Sequence, residues 1–191
     1  MFYKLNFYQK IITICLLYSI VFSISFYLFK FSIQAITSWE IILFNFLQVW
    51  DLMLVGFLFF QTFKYVRLPN NFYLQRKYET KKYFKYLGVN VFRLLLINSF
   101  FRHLNNRVYL KGRAKDYLLT FIEETKQSET SHIISGIFPL SIQLLYLKYG
   151  LIEHFIWLSI FNLILNLYPF LLQRMNRFNM LLKYSNLTKE N

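Results

Sequence analysis

One cysteine, three prolines, five glycines and nine acidic residues are all that this 191-residue chain has of those types. With Cys15 alone, an intrachain disulfide and a cysteine-based zinc site are excluded, and the redox compartment stays open. The glycines are scattered singly, so there is no Gly-rich phosphate loop and no Gly-x-Ser-x-Gly elbow, and nucleotide hydrolysis is not expected. Internal repeats are absent as well. Charge is also scarce: 16% of residues are charged, against 56% hydrophobic and 21% aromatic. That balance excludes disorder and is too apolar for an ordinary soluble domain.

The chain is rich in Phe (23), Tyr (15) and cations, with 22 Lys and Arg giving a formal charge of +13. Basic charge on a chain of mean hydropathy +0.34 points to a membrane protein with a basic face. Nucleic acid is a poor fit, because the cations are interleaved with apolar anchors and no nucleic-acid motif is present.

Four apolar runs are visible. Residues 11–29 carry no charge between Lys10 and Lys30, about the length that crosses a bilayer core of roughly 30 Å. No small-residue cleavage site follows, so this run is expected to stay as an anchor. Residues 41–63 form a second run with Asp51 near its middle. A carboxylate there would cost roughly 2.5–3.5 kcal/mol, so it should face protein or water, or be protonated; Gln48, one turn away, is a partner within reach. Residues 133–147 form a short third run and residues 155–172 a fourth, either two crossings or a re-entrant hairpin with Lys148, Glu153 and His154 at its tip. The expected fold is all-α: a polytopic integral membrane protein of about four hydrophobic helices with added interfacial amphipathic helices.

Two cations precede the first run, 14 lie between Lys64 and Lys126, and four follow Leu172. Positive charge is kept on the cytoplasmic side, so both termini and the basic middle segment are expected there, in a multi-pass protein of the cell membrane. In that segment, residues 67–132, Tyr83, Phe84, Phe92 and Leu94 alternate with Lys81, Lys82, Lys85 and Arg93, the composition of helices lying among anionic headgroups. The same cations could hold the phosphates of an anionic substrate such as a coenzyme A thioester.

Two polar constellations border the apolar runs. If residues 121–132 are helical, Glu124, Thr125, Ser128, Glu129 and His132 share one face within about 140° of arc. An imidazole beside a carboxylate is what general-base activation of a hydroxyl requires, and it makes His132, with Glu129 or Glu124, a catalytic candidate. The bland alternative is a polar helix start whose glutamates pair with lysines. Glu129-x-x-His132 also matches half of a di-iron carboxylate site, but the second half is missing, so no bound metal or cofactor is expected. In the second constellation Asn162, Asn166, Pro169, Gln173 and Arg177 align on a continuous helix, although Pro169 threatens the register. Intramembrane amides are usually helix–helix glue. Arg174 and Arg177 beside Gln173 and Asn176 nevertheless form a donor cluster with little acceptor company, suited to an oxyanion, a phosphate or a thioester carbonyl. Antiparallel neighbours would join the two constellations in one site.

Three blocks resemble the glycosyl-4,4'-diaponeurosporenoate acyltransferases of carotenoid synthesis. Arg67-Leu68-Pro69-Asn70-Asn71-Phe72-Tyr73 is similar to that family's Arg-x-Pro-x-x-aromatic-aromatic stretch. The run from Glu124 through Glu129 to His132 is similar to its Glu-Thr-x-x-Ala-Glu-x-x-His block, with Ser128 at the alanine. Asn166, Pro169 and Gln173-Arg174-Met175-Asn176-Arg177 resemble its ending, with Met175 at a tyrosine. The family's Arg-Lys-Trp-Lys run is represented only by Phe101-Arg102-His103. The first two apolar runs make residues 1–66 an expected amino-terminal anchor, and the resemblance, which covers roughly residues 67–181, implies an acyltransferase-like region over residues 67–191. It also implies an acyl donor such as acyl-CoA, a glycosylated isoprenoid or glycolipid acceptor, and membrane lipids as surroundings. The chemistry of the matched residues, with no role carried over from the family, makes His132, Glu129 and Glu124 the expected catalytic residues and Asn166, Gln173, Arg174, Asn176 and Arg177 the expected substrate-binding ones. The competing expectation is a non-catalytic membrane scaffold whose polar residues only pair helices.

Overall fold

The computed structural model describes residues 7–62, 68–99 and 115–187; Arg67 and Phe101-Arg102-His103 lie outside them. Every regular element among the described residues is helical. In order these are α1 (Phe7–Gln34), α2 (Ser38–Thr62), α3 (Asn70–Tyr73), α4 (Lys81–Tyr86), α5 (Val89–Asn98), α6 (Lys115–Lys148), α7 (Ile152–Asn162), a π-helical turn (Leu163–Leu167) and α8 (Tyr168–Leu187). The all-α expectation holds. Four segments are long and apolar enough to cross a membrane: Ile12–Gln34, Ser38–Phe60, Leu118–Lys148 and Ile152–Leu182.

The third and fourth runs are longer than hydropathy implies, 31 residues each. Hydropathy stops where charge begins, whereas the Glu, Lys and Gln residues that precede residue 133 are good helix formers and carry the backbone ladder on. Pro139 lies inside α6 without ending it. At 1.5 Å per residue each segment is about 46 Å long, more than a core of roughly 30 Å requires. By length, the re-entrant alternative gives way to two full helices.

The chain divides into two compact units, Met1–Val66 with Ser131–Leu167, and Arg67–Thr130 with Tyr168–Asn191. In the first, α1 exposes Ile12, Leu16, Ile20, Phe22, Phe26 and Phe31 on several sides, as a lipid-bathed helix does. A capping box opens α2: the Thr37 N–H donates to Glu40 Oε2 (3.1 Å) and the Glu40 N–H to Thr37 Oγ1 (3.3 Å). Val49, Tyr146 and Leu158 form the buried core, flanked by Phe29, Met53 and Phe155. Gly56 permits a close approach of α2 to α6, since a Cβ there would stand 2.5 Å from the Ser135 Cα.

Several polar groups inside this unit are paired, although Tyr18 Oη, Asn45 Oδ1 and Gln48 Nε2 are buried without a hydrogen-bond partner. Asp51 is buried, as expected of it, but its partner is Ser25, whose Oγ donates to Asp51 Oδ2. Gln48 instead accepts from the Tyr146 hydroxyl (2.8 Å), which also reaches Ser32 Oγ (3.0 Å). His154, near the tip between the third and fourth runs, is buried, with Nε2 2.6 Å from the Ser32 carbonyl oxygen. The exposed turn is made by Tyr149 and Gly150, the latter at φ +69°.

In the second unit Phe84, Val89, Leu172, Met175 and Phe178 are the buried core, with Tyr83, Phe92 and Leu96 against it. Thr80 caps α4 by accepting the Tyr83 N–H (3.2 Å). Gly88, at φ +71°, turns the chain directly into α5. The remaining faces are amphipathic as expected: Val91, Leu94 and Leu95 are exposed on α5, and Tyr86, Lys81, Lys82 and Lys85 on α4.

Candidate functional site

Within the second unit, parts of the three sequence blocks meet in one buried ion cluster. Pro69 leads into α3, which stops after one turn because Leu74 is already extended. A helix that short leaves its carbonyls without intrahelical donors. Two guanidinium groups of α8 take them. Arg174 Nη1 donates to the Phe72 carbonyl (3.0 Å), Arg174 Nη2 to the Leu74 carbonyl (3.2 Å) and Arg177 Nη2 to the Tyr73 carbonyl (3.0 Å).

The same arginines carry the carboxylates. Arg174 holds Glu79 in a bidentate pair, Nε to Oε1 at 2.7 Å and Nη2 to Oε2 at 2.9 Å, and reaches Glu129 Oε2 at 3.4 Å. Arg177 Nη1 donates to Glu129 Oε1. Glu79, Glu129, Arg174 and Arg177 are all buried, and two cations against two anions leave the cluster neutral. Aromatic faces complete the lining: the Arg174 guanidinium lies 5.5 Å from the Phe72 ring centroid and 5.8 Å from that of Phe170, and Arg177 lies 5.8 Å from that of Tyr73. The Tyr73 hydroxyl pairs with Thr130 Oγ1 and accepts the Leu68 N–H (3.2 Å). Nearby, burial pushes the Tyr83 phenol above its ordinary range, with Tyr78 and Glu79 adding and Arg174 opposing, so it is a protonated donor at neutral pH.

These contacts correct one expectation. Arg174 and Arg177 do not lack acceptors: Arg174 makes five hydrogen bonds, as many as a guanidinium has N–H groups. Nothing remains on it for a phosphate or an oxyanion. Gln173 and Asn176 differ, being half-buried with no hydrogen bond among the described residues. Glu124 and Ser128 are also half-buried, whereas Thr125 is buried and bonded to the Ile122 carbonyl (2.8 Å). Glu79 escapes sequence reasoning, although it is the single acid in residues 68–99.

The first unit holds a second constellation. His132 is half-buried beside the Asn166 amide. Asn166 is buried at the π turn, which comes just before Pro169; a proline lacks the N–H for an i→i−4 bond, and widening the preceding turn accommodates that loss. Asn166 Nδ2 donates to Asn162 Oδ1 (2.8 Å), and Asn162 Nδ2 donates to the Gly136 carbonyl (3.1 Å). Asn166 Oδ1 is left buried without a hydrogen bond. The aligned stripe read from sequence is therefore divided: Asn162 and Asn166 precede the π turn's end, and Gln173 and Arg177 belong to the other unit.

A groove of about 640 Å³ opens beside Trp39, Leu43, Phe46 and Phe161. None of the candidate residues lines it. Among the described residues no three His, Cys, Asp or Glu side chains gather as a metal site requires.

A family model described as glycosyl-4,4'-diaponeurosporenoate acyltransferase matches residues 69–184. No curated protein and no solved structure matches the chain. The match contains Tyr73, Glu79, Glu129, His132, Asn166, Arg174 and Arg177, and it begins where α1 and α2 have ended.

Proposed function

Since the chain belongs to the glycosyl-4,4'-diaponeurosporenoate acyltransferase family, acyltransferases of carotenoid biosynthesis, we propose that it moves a fatty acyl group from an activated donor such as acyl-CoA to a hydroxyl of a glycosylated carotenoid or related glycolipid. The observation that carries the chemical reading is His132, a half-buried imidazole within the span Leu118–Lys148. As general base it takes the proton of the acceptor hydroxyl while that oxygen attacks the donor carbonyl. The carbon–sulfur bond of the thioester then breaks, and the imidazolium returns the proton to the leaving thiolate. The products are an ester and a free thiol, and no other reactant is needed.

The ion cluster supports a division of roles within the site. Glu129, with Glu79, Arg174 and Arg177, is a positioning group: it ties α3, α6 and α8 together instead of orienting the base. Gln173 and Asn176, with unengaged amides, are the better donors to a substrate carbonyl or sugar hydroxyl. Glu124 stays an auxiliary candidate on the polar face of α6. The enzyme works at the cytoplasmic face of the cell membrane, a reading supported by the 20 of 22 cations that lie in the amino-terminal, middle and carboxyl-terminal segments.

Lipids extracted from cells expressing the chain together with a glycosylated acceptor should contain an acylated glycolipid by mass. The His132→Ala variant should reach the membrane and make none. Acylation at the wild-type rate by that variant would exclude His132 as the base.

A further inference from the structure

Three polar groups, Gly136 on α6 one helical turn from His132, Asn162 on α7 and Asn166 in the π turn, form a directed chain that ends at Asn166 Oδ1. The Gly136 carbonyl accepts from Asn162 Nδ2 at 3.1 Å, which fixes Asn162 Oδ1 as the end facing Asn166. Asn162 Oδ1 accepts from Asn166 Nδ2 at 2.8 Å, which in turn fixes Asn166 Oδ1 as the free end. Amide orientation is normally ambiguous, but here each step leaves one choice.

Packing keeps the chain in place. Asn166 Cβ lies 3.4 Å from where a Cβ on Gly136 would stand, so the missing side chain is what lets the two asparagines press against α6. Gly136 and His132 are one helical turn apart on α6, hence on the same face. The His132 ring lies beside the Asn166 amide, and Asn166, 3% exposed, carries a buried Oδ1 with no donor bound. An orphaned acceptor in an apolar surrounding costs free energy unless it gains a donor, and an imidazole N–H is the donor at hand. Hydrogen bonds of this kind are often loose before substrate arrives and tighten with it.

We infer that Gly136, Asn162 and Asn166 form an amide relay that fixes the His132 tautomer, with Asn166 Oδ1 accepting one ring N–H so that the other ring nitrogen stays unprotonated. Asn162 and Asn166 are thus positioning residues, not substrate ligands and not merely glue between helices. This assignment deepens the reading of His132 as the general base and rests on it for its catalytic meaning. An amide does here what a carboxylate does beside many catalytic histidines. It selects the tautomer without bringing a charge into the membrane, where a carboxylate would be costly.

The test is nitrogen NMR of the full-length protein in nanodiscs with ¹⁵N-labelled histidine. Only three histidines contribute, His103, His132 and His154, and the His132→Ala spectrum identifies the signals of interest. Wild type should show one neutral tautomer at His132. Asn166→Leu, which keeps the shape and removes the acceptor, and Asn162→Leu, which frees the Asn166 amide to turn, should each give a mixture of tautomers. Asn166→Asp, which restores an acceptor, should keep the single tautomer. Turnover should fall in both leucine variants through kcat, with the KM for acceptor little changed. A single tautomer persisting in Asn166→Leu would overturn the relay, as would a mixture in wild type. If a leucine variant does not fold, the wild-type and Asn166→Asp spectra still decide. The two readings separate cleanly: unchanged acylation by His132→Ala with a locked tautomer in wild type would remove the base and leave the relay.

Discussion

Glu129 is fully buried between two arginines, and removing it should unbalance the second unit in a way that a second substitution repairs. Glu129→Leu leaves Arg177 with the Tyr73 carbonyl as its remaining hydrogen-bond partner among those described and gives the cluster a net charge of +1. Deleting one member of a buried pair costs about 3–5 kcal/mol, because the surviving charge is stranded; that is roughly two to four powers of ten in the unfolding equilibrium. Arg177→Leu should cost a similar amount, since Glu129 keeps only its 3.4 Å contact with Arg174 and the Tyr73 carbonyl loses its donor. In Glu129→Leu/Arg177→Leu both charges go together and the bidentate Arg174–Glu79 pair remains. Its residual cost is mainly one orphaned carbonyl, about 1–3 kcal/mol. The double variant should therefore be more stable than the less stable of the two single ones by about 2 kcal/mol. Unfolding in mixed micelles, followed by aromatic fluorescence against detergent mole fraction, measures all four proteins. Strict additivity, with the double variant losing the sum of the two single losses, would refute the account of the cluster as a closed, neutral set.

Gly56→Leu should destabilise the first unit by about 1–3 kcal/mol through overpacking against Ser135, measured as a lower unfolding midpoint. Gly150→Ala meets nothing within 4 Å but must hold φ +69°, so its loss should be smaller, about 1–2 kcal/mol. Asp51→Asn keeps an acceptor for the Ser25 hydroxyl and should leave the unfolding midpoint nearly unchanged, whereas a collapse in membrane-inserted yield would show that the carboxylate itself is needed. Gln173→Ala and Asn176→Ala should raise the KM for donor or acceptor severalfold without shifting the unfolding midpoint; unchanged kinetics in both would remove these amides from the substrate site.

Much of the membrane layout is legible in the sequence because crossing a bilayer demands a long uninterrupted apolar run, and local composition reports that directly. Helix ends are not, since α6 continues through Glu124, Lys126 and Glu129 on backbone hydrogen bonds that hydropathy ignores. Partners are less legible still. Asp51 could be read as needing one, yet the choice of Ser25 over Gln48 depends on how α1 and α2 pack. Arg174 and Arg177 read as free donors because Glu79 lies 95 residues before Arg174, and no periodicity links positions that far apart. His132 and Asn166 could each be picked out as polar residues beside or within apolar runs. The order Gly136, Asn162, Asn166 could not, because it depends on a turn widened ahead of Pro169.

The ion cluster also imposes a timetable on synthesis. Chains emerge amino-terminus first, so Glu79 and Glu129 are made before either cation that neutralises them, and Arg174 and Arg177 follow Glu129 by 45 and 48 residues. Until α8 is made, the one-turn α3 has open carbonyls and α6 carries an uncompensated carboxylate. A nascent chain halted before residue 174 therefore has no partial version of this unit to fall back on.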